Sequence, residues 1–300
     1  MTREELIIGA YNLKAELLVD CKNVLGEGPI WSETEQRLYW TDIESRILWW
    51  FDPSRSQSES LVLRSRAGSI AFRRSGGLLL ASENEILGFD PETGVERQVA
   101  VVPDMPPETR LNDGRCDRFG RFVVGGFDYR GAGRGSVYVL NSDGTMNTLF
   151  TGVNSANSTC FSPDGRIMYF ADSPRRVIWE FDYDPERGEI SNRRVFHELG
   201  HDAGLPDGSA VDSYGCLWNA EWGAGRVVRY TPDGEIDAVI DTPCLNPSCP
   251  ALGGPDYRTL FITSAREGLS DELLASVPES GGLFSVRVAV AGLPEETFGG

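Results

Sequence analysis

The 300-residue sequence predicts an all-β fold made of six copies of one four-stranded unit. Three observations carry that expectation. Short apolar strand-like runs recur at nearly even spacing, turn signals separate the runs that follow them, and helical periodicity is almost absent. The recurring runs start at Leu38, Leu78, Arg121, Ile167, Cys216 and Thr259, which lie 40, 43, 46, 49 and 43 residues apart. Four strands in about 40–50 residues, repeated along a chain, are the pattern of β-propeller blades, because one such sheet cannot bury its faces until neighbours stack on it. The expectation is therefore a six-bladed β-propeller forming a single domain over residues 1–300, with 1–14 as an N-terminal tail.

Each unit can be read in order. A second strand follows each recurring run, at 46–52, 85–90, 135–140, 176–182, 225–230 and 282–286. Turns such as Asp90-Pro-Glu-Thr-Gly94, Ser142-Asp-Gly144 and Thr231-Pro-Asp-Gly234 come next, where Gly and Asx residues adopt tight-turn geometry. A third, alternating strand closes the first five units, at 60–64, 98–102, 147–150, 194–197 and 236–240. A further strand precedes the recurring run, as at 29–31, 69–72 and 158–161. The sixth unit lacks its outer strand, and the surplus N-terminal run 15–20 has the pattern to supply it. That pairing would leave the last blade without an exposed edge.

Composition narrows the function. With 28 basic and 45 acidic residues the net charge is −17, which disfavours nucleic acid and anionic membrane surfaces as partners. The run Leu6-Ile7-Ile8 is too short for a secretion signal, and no stretch approaches the roughly 20 apolar residues of a membrane span. Six scattered cysteines without such a signal read as buried free thiols, so a cytoplasmic protein is expected. Only two histidines are present, which leaves little room for His-based chemistry.

Chemistry is expected where the innermost strands begin, since in a propeller these positions face one mouth of the channel. Glu27, Asn112, Asn157 and Asp207 fall at equivalent starts. The next strand follows 10 residues after Asn112, Asn157 and Asp207, and 11 after Glu27. Singly, Asn or Asp before Gly is a turn residue; four at one repeat position point to oxygen ligands for a hard divalent cation.

These residues sit in Leu25-Gly-Glu-Gly-Pro-Ile-Trp31, Arg110-Leu-Asn-Asp-Gly114, Asn157 with Ser162-Pro-Asp-Gly165, Pro206-Asp-Gly208 and Ser264-Ala-Arg-Glu-Gly268. Together, and in order from about residue 20 to 290, they resemble the regucalcin/gluconolactonase family of six-bladed propeller lactonases. The resemblance implies one divalent metal, whether Ca, Zn, Mg, Mn or Fe, held by Glu27, Asn157 and Asp207. It also implies that Arg110 and Asn112 hold substrate hydroxyls. Asp207, which can share metal contact with positioning the attacking water, is the expected catalytic base, with a role as ligand alone left open. The implied reaction is hydrolysis of a sugar-acid lactone, with L-arabinonolactone a first substrate to try. Gluconolactone, xylonolactone and uronic-acid-derived lactones stay open, as does a non-catalytic calcium-binding propeller, monomeric or a small homo-oligomer. Two departures stand out. Family members often carry an acidic residue where this chain reads Gly126-Phe-Asp-Tyr-Arg130, leaving Asp128 or Tyr129 as its substitute, and Asn157 precedes Ser158 where many relatives have Gly.

One motif is a decoy. His197-Glu-Leu-Gly-His201 matches H-E-x-x-H, but zinc binding there needs a helix, and His197 is expected to end a strand. Residues four apart on a strand are separated by roughly 13 Å, too far to share one ion.

Overall fold

The structure is a computed structural model and describes residues 11–300. The chain opens with β1 (Tyr11–Lys14) and β2 (Glu16–Val19). Six meanders follow. They are β3 (Gly26–Ser32) to β6 (Gln57–Val62) through β4 (Arg37–Asp42) and β5 (Ile47–Asp52), and β7 (Ala67–Phe72) to β10 (Val95–Val101) through β8 (Leu78–Ser82) and β9 (Glu85–Asp90). Next come β11 (Thr109–Cys116), β12 (Phe122–Asp128), β13 (Gly135–Leu140) and β14 (Met146–Val153), then β15 (Ala156–Phe161), β16 (Ile167–Asp172), β17 (Val177–Asp184) and β18 (Glu189–Glu198). The chain ends with β19 (Leu205–Val211), β20 (Leu217–Trp222), β21 (Arg226–Tyr230) and β22 (Ile236–Asp241), then β23 (Asn246–Gly253), β24 (Thr259–Ala265) and β25 (Leu283–Arg287). Among the described residues the helical pieces are a 3-10 turn at Ser173–Arg175 and the short α1 (Asp271–Ser276).

Consecutive strands pair antiparallel into six sheets, the blades of a six-bladed β-propeller, as the repeat spacing predicts. The sheets divide between two compact units. One, the chain up to Val62 with Leu199–Pro294, holds the sheets that begin at β3, β19 and β23. The other, Leu63–Glu198 with Glu295–Gly300, holds those that begin at β7, β11 and β15.

The expected N-terminal strand is present. β2 lies against β25, pairing Glu16 with Ser285 and Leu17 with Phe284, and supplies the outer strand that the sixth repeat lacks. The expected N-terminal tail 1–14 is corrected at its end, where the chain already forms a strand. Its residues 1–10 lie outside the described residues, and 11–14 are the strand β1, which runs parallel to β22 as the fifth strand of that sheet. The edge of β22 offers unpaired peptide groups, and Leu13 gains cover against the cluster that includes Val227 and Ile240.

Each unit has its own apolar packing. In the first, Trp31 stacks on Phe261 with centroids 5.8 Å apart, and Trp40 stacks on Trp49 at the same distance. These large rings fill the space between faces, where they contribute most of the buried apolar area. All six cysteines are unpaired, and burial pushes the Cys21 and Cys244 thiols up to about 11, so they behave as small apolar residues.

The last six residues have no strand periodicity, yet they are anchored in the second unit. Phe298 N–H donates to the Phe72 carbonyl and Arg74 N–H to that of Phe298, both at 2.8 Å. The Phe298 ring is 1 % exposed, among Ala71, Leu79, Phe122 and Leu140. Arg118 pairs with Glu296 at 2.9 Å and Arg115 with Glu295 at 3.6 Å. Replacing a buried Phe by Ala removes both transfer energy and packing, so Phe298→Ala should cost about 3 kcal/mol and lower the melting temperature in calorimetry.

Candidate active site

The pairing register fixes which residues of the six innermost strands are equivalent. Trp31, Phe72, Cys116, Phe161, Val211 and Leu252 pair with Leu38, Leu78, Phe122, Met168, Leu217 and Leu260. Four residues before each of them stand Glu27, Gly68, Asn112, Asn157, Asp207 and Ser248. The four oxygen-bearing residues singled out from the sequence therefore do share one register position, and Gly68 and Ser248 complete the set.

Every innermost ladder slips at this level. The register shifts fall between Glu27 and Ile30, Ala67 and Ser69, Leu111 and Gly114, Asn157 and Cys160, Pro206 and Ser209, and Pro247 and Pro250. Such a bulge leaves one residue out of the ladder and re-aims the side chains beside it. After Glu27 and Asn157 the chain turns left-handed, with φ of 57° at Gly28 and 56° at Ser158. That conformation explains why Gly suits the position after Asn157; Ser158 adopts it at a cost of about 1–2 kcal/mol.

In the first unit Glu27 and Asp207 are both buried. Gly28 N–H donates to Glu27 Oε2 at 3.0 Å, and Thr41 Oγ1 donates to the Glu27 carbonyl at 3.3 Å. Two residues upstream, the Asp42 carboxylate accepts from Val24 and Leu25 N–H at 2.9 and 3.1 Å, which fixes the entry to β3. On β20, Asn219 Nδ2 donates to the carbonyls of Asp207 at 2.9 Å and Gly208 at 3.3 Å, so the bulge carbonyls beneath Asp207 are held. A Cβ at Gly208 would lie 2.4 Å from Cys249 Sγ, so only glycine lets β19 run beside β23 here.

In the second unit Arg110, Asn112 and Asn157 come together. Arg110 is 3 % exposed, and its Nη1 donates to Leu111 O at 3.0 Å and to Asn112 Oδ1. Asn112 Nδ2 donates to Ala156 O at 2.8 Å and to Asn157 Oδ1 at 3.4 Å. Asn157 Nδ2 donates to Ser173 Oγ at 2.7 Å, which assigns Oδ1 as the atom left for an electrophile. Asn112 thus bridges the Arg110 guanidinium and the Asn157 amide. Next to it, Asp113 accepts from Thr159 N–H at 2.6 Å and ties β11 to β15; burial raises its carboxyl above the usual range.

Glu27 and Asp207 in the first unit each carry a carboxylate and Asn157 in the second an amide oxygen, donor types that suit a hard divalent cation. Among the described residues no cluster of three or more His, Cys, Asp or Glu that could hold a metal ion is present. The H-E-x-x-H match is not helical: His197 lies on β18 and His201 beyond its end. Trp222 closes β20 and packs on Leu25, Ile43 and Ala265.

The alternatives at 126–130 separate cleanly. Asp128 is buried and accepts from the N–H groups of Arg130, Ala132 and Arg134 at 3.0–3.1 Å, and it forms an ion pair with the Arg134 guanidinium. Its carboxylate is spent on the loop. Tyr129, by contrast, reaches Arg110, its Oη accepting from Arg110 Nε at 3.1 Å. Sequence reasoning gave no signal for Ser173 or Arg66, which join this network from a 3-10 turn and from the segment before β7. The Arg134 guanidinium beside Asp128 holds its carboxyl well below the usual range, so the pair is intact at neutral pH. Asp128→Asn should lower the melting temperature at pH 7. The gap to the parent protein should close as pH falls below about 4, through the folded-state value, because both chains then carry a neutral group there.

Residues 25–266 match the SMP-30/Gluconolactonase/LRE-like region family. The chain is 43 % identical to an L-arabinolactonase of Azospirillum brasilense, over 96 % of each chain. It is 37 % identical to a 6-deoxy-6-sulfogluconolactonase of Pseudomonas putida, over 93 % of this chain and 96 % of that one. Among solved structures, a calcium-binding regucalcin of Agrobacterium tumefaciens superimposes with a TM-score of 0.92 at 31 % identity, covering 96 % of this chain and 98 % of that one. The chain thus matches known proteins along nearly its whole length, and it belongs to the SMP-30/gluconolactonase/LRE-like family.

Proposed function

We propose that this protein is a lactonase that hydrolyses a sugar-acid lactone to the open-chain acid, with an aldonolactone such as L-arabinonolactone as substrate. The observation that carries the reading is the state of Arg110. Its Nε and Nη1 are committed to Tyr129, Leu111 and Asn112, while its Nη2 has no hydrogen-bond partner among the described residues. A buried guanidinium with one open edge is built to bind ligand oxygens, and the adjacent Asn157 amide is already oriented. The relatives named as arabinolactonase and sulfogluconolactonase support the same reaction class.

In this reading the six sheets act as one propeller domain, and a single divalent cation is held by Glu27, Asn157 and Asp207. When bound, such a cation supplies Lewis-acid stabilisation of the charge that develops on the lactone carbonyl oxygen. Arg110 and Asn112 orient the ring hydroxyls. Asp207 takes the proton of the attacking water as its oxygen bonds to the carbonyl carbon; the ring C–O bond then breaks, and the leaving oxygen is protonated. Asn157 is held in register by Ser173 and Asn112, which keeps its oxygen available without rotamer loss. No helix among the described residues is long and apolar enough to cross a membrane, and the unpaired thiols support a cytoplasmic enzyme. The competing reading, a calcium binder without turnover, draws on the regucalcin likeness.

A panel of aldonolactones followed by acid release, with each of Ca, Mg, Mn, Zn and Fe supplied in turn, separates the two. The lactonase reading expects turnover of at least one lactone and its loss on chelation; tight calcium binding with no turnover of any would overturn it. Asp207→Asn should lower kcat by about 10²–10⁴, the range of a missing general base. Arg110→Ala should act mainly on KM, raising it about tenfold or more, as expected for removal of hydrogen bonds from a charged donor.

A further inference from the structure

The Tyr129 hydroxyl is the meeting point of two guanidiniums. It accepts from Arg110 Nε at 3.1 Å and from Arg66 Nη1 at 2.6 Å. Arg66 is ion-paired with Glu83 at 2.8 Å, whereas Arg110 has no carboxylate partner among the described residues. The Arg110 guanidinium also lies 4.7 Å from the centre of the Phe127 ring, and Tyr129 meets Phe127 edge-on at 5.0 Å. An aromatic face below, the Tyr129 oxygen on one edge and two oxygens at Nη1 fix the plane of the guanidinium. The direction of its open Nη2 arm is then set before any ligand arrives.

The segment that carries Tyr129 is itself preorganised. Asp128 gathers three backbone N–H groups and Arg134, Tyr129 N–H donates to Glu108 O at 3.1 Å, and Gly131 and Gly133 take left-handed turns with φ of 61° and 69°. A phenol holds Arg110 without neutralising it. The charge on the guanidinium stays available to ligand oxygens, which a carboxylate at the same place would quench.

Resting on the assignment of Arg110 as the substrate clamp, we propose that Tyr129 is a positioning residue that aims the Arg110 guanidinium at the lactone, with Arg66 bracing Tyr129 from the outer side. Tyr129 acts through Arg110 and takes no part in proton transfer.

The test is a double-substitution cycle with L-arabinono-1,4-lactone as probe, read as separate kcat and KM values. Tyr129→Phe keeps the ring and removes the acceptor. It should raise KM about tenfold, the loss of one hydrogen bond to a charged group, with kcat within about twofold and the melting temperature unchanged. In an Arg110→Lys background the same substitution should change KM by less than about twofold, because the group it positions is gone. Arg66→Met, a second and independent variant, should raise KM in the same direction by a smaller factor. An unchanged KM in Tyr129→Phe, or an equal rise in both backgrounds, overturns the proposal. If Arg110→Lys alone leaves KM unchanged, the clamp assignment fails, and the positioning role fails with it. Absence of turnover of every aldonolactone of the panel by the parent protein overturns the lactonase reading as well, so the three failures are told apart.

Discussion

In each of the six sheets the ladder between the first and second strand has to break at the same level, and the rest of the site depends on that break. An uninterrupted antiparallel ladder would alternate side chains between the two faces of the blade and offer none along the strand's inner edge. One extra residue per blade interrupts that alternation beside Glu27, Asn112, Asn157 and Asp207. The bulge costs backbone hydrogen bonds. At β19 a buried side chain makes them good, Asn219 donating to the carbonyls of Asp207 and Gly208; Asn112 on Ala156 O and Asp42 on Val24 and Leu25 N–H hold the strand entries instead.

The same requirement for close approach sets the small residues. At Gly68 a Cβ would lie 2.4 Å from Leu111 O and 2.7 Å from Asn112 Cα. The blade that begins with β7 therefore contributes space rather than a ligand, and that space is what lets the backbone at Asn112 take its place. Ser158 shows the opposite compromise. It occupies a left-handed conformation that Gly28 adopts at the equivalent point of its own blade, and it is fully buried there.

Acidic residues serve two separate purposes in this chain. Asp128 and Asp172 are architectural: each is buried, accepts from loop or strand-entry N–H groups, and pairs with an arginine three to six residues on. Glu27 and Asp207 stand beside the bulges of β3 and β19 instead. Burial alone does not distinguish the two groups, since all four are buried. Position in the ladder does.

The sequence by itself determined the repeat, the number of blades, the N-terminal strand that completes the last sheet, and the register position shared by the four oxygen-bearing residues. These are properties of spacing, and a period of about 40–50 residues survives any detail of packing. It also marked 126–130 as a departure from the family pattern. What it left open was set by contacts between residues far apart in the chain. Asp128 and Tyr129 are neighbours, and nothing local says that one carboxylate is consumed by Arg134 while the adjacent hydroxyl meets Arg66 and Arg110, 63 and 19 residues away. Leu13 and Phe298 carried no periodic signal either, because each lies on a segment too short to show one. Their places follow from apolar surface and open strand edges that exist only once the sheets have formed. Side-chain chemistry at a site is a matter of which groups are left over after folding has used the others, and only the tertiary structure decides that.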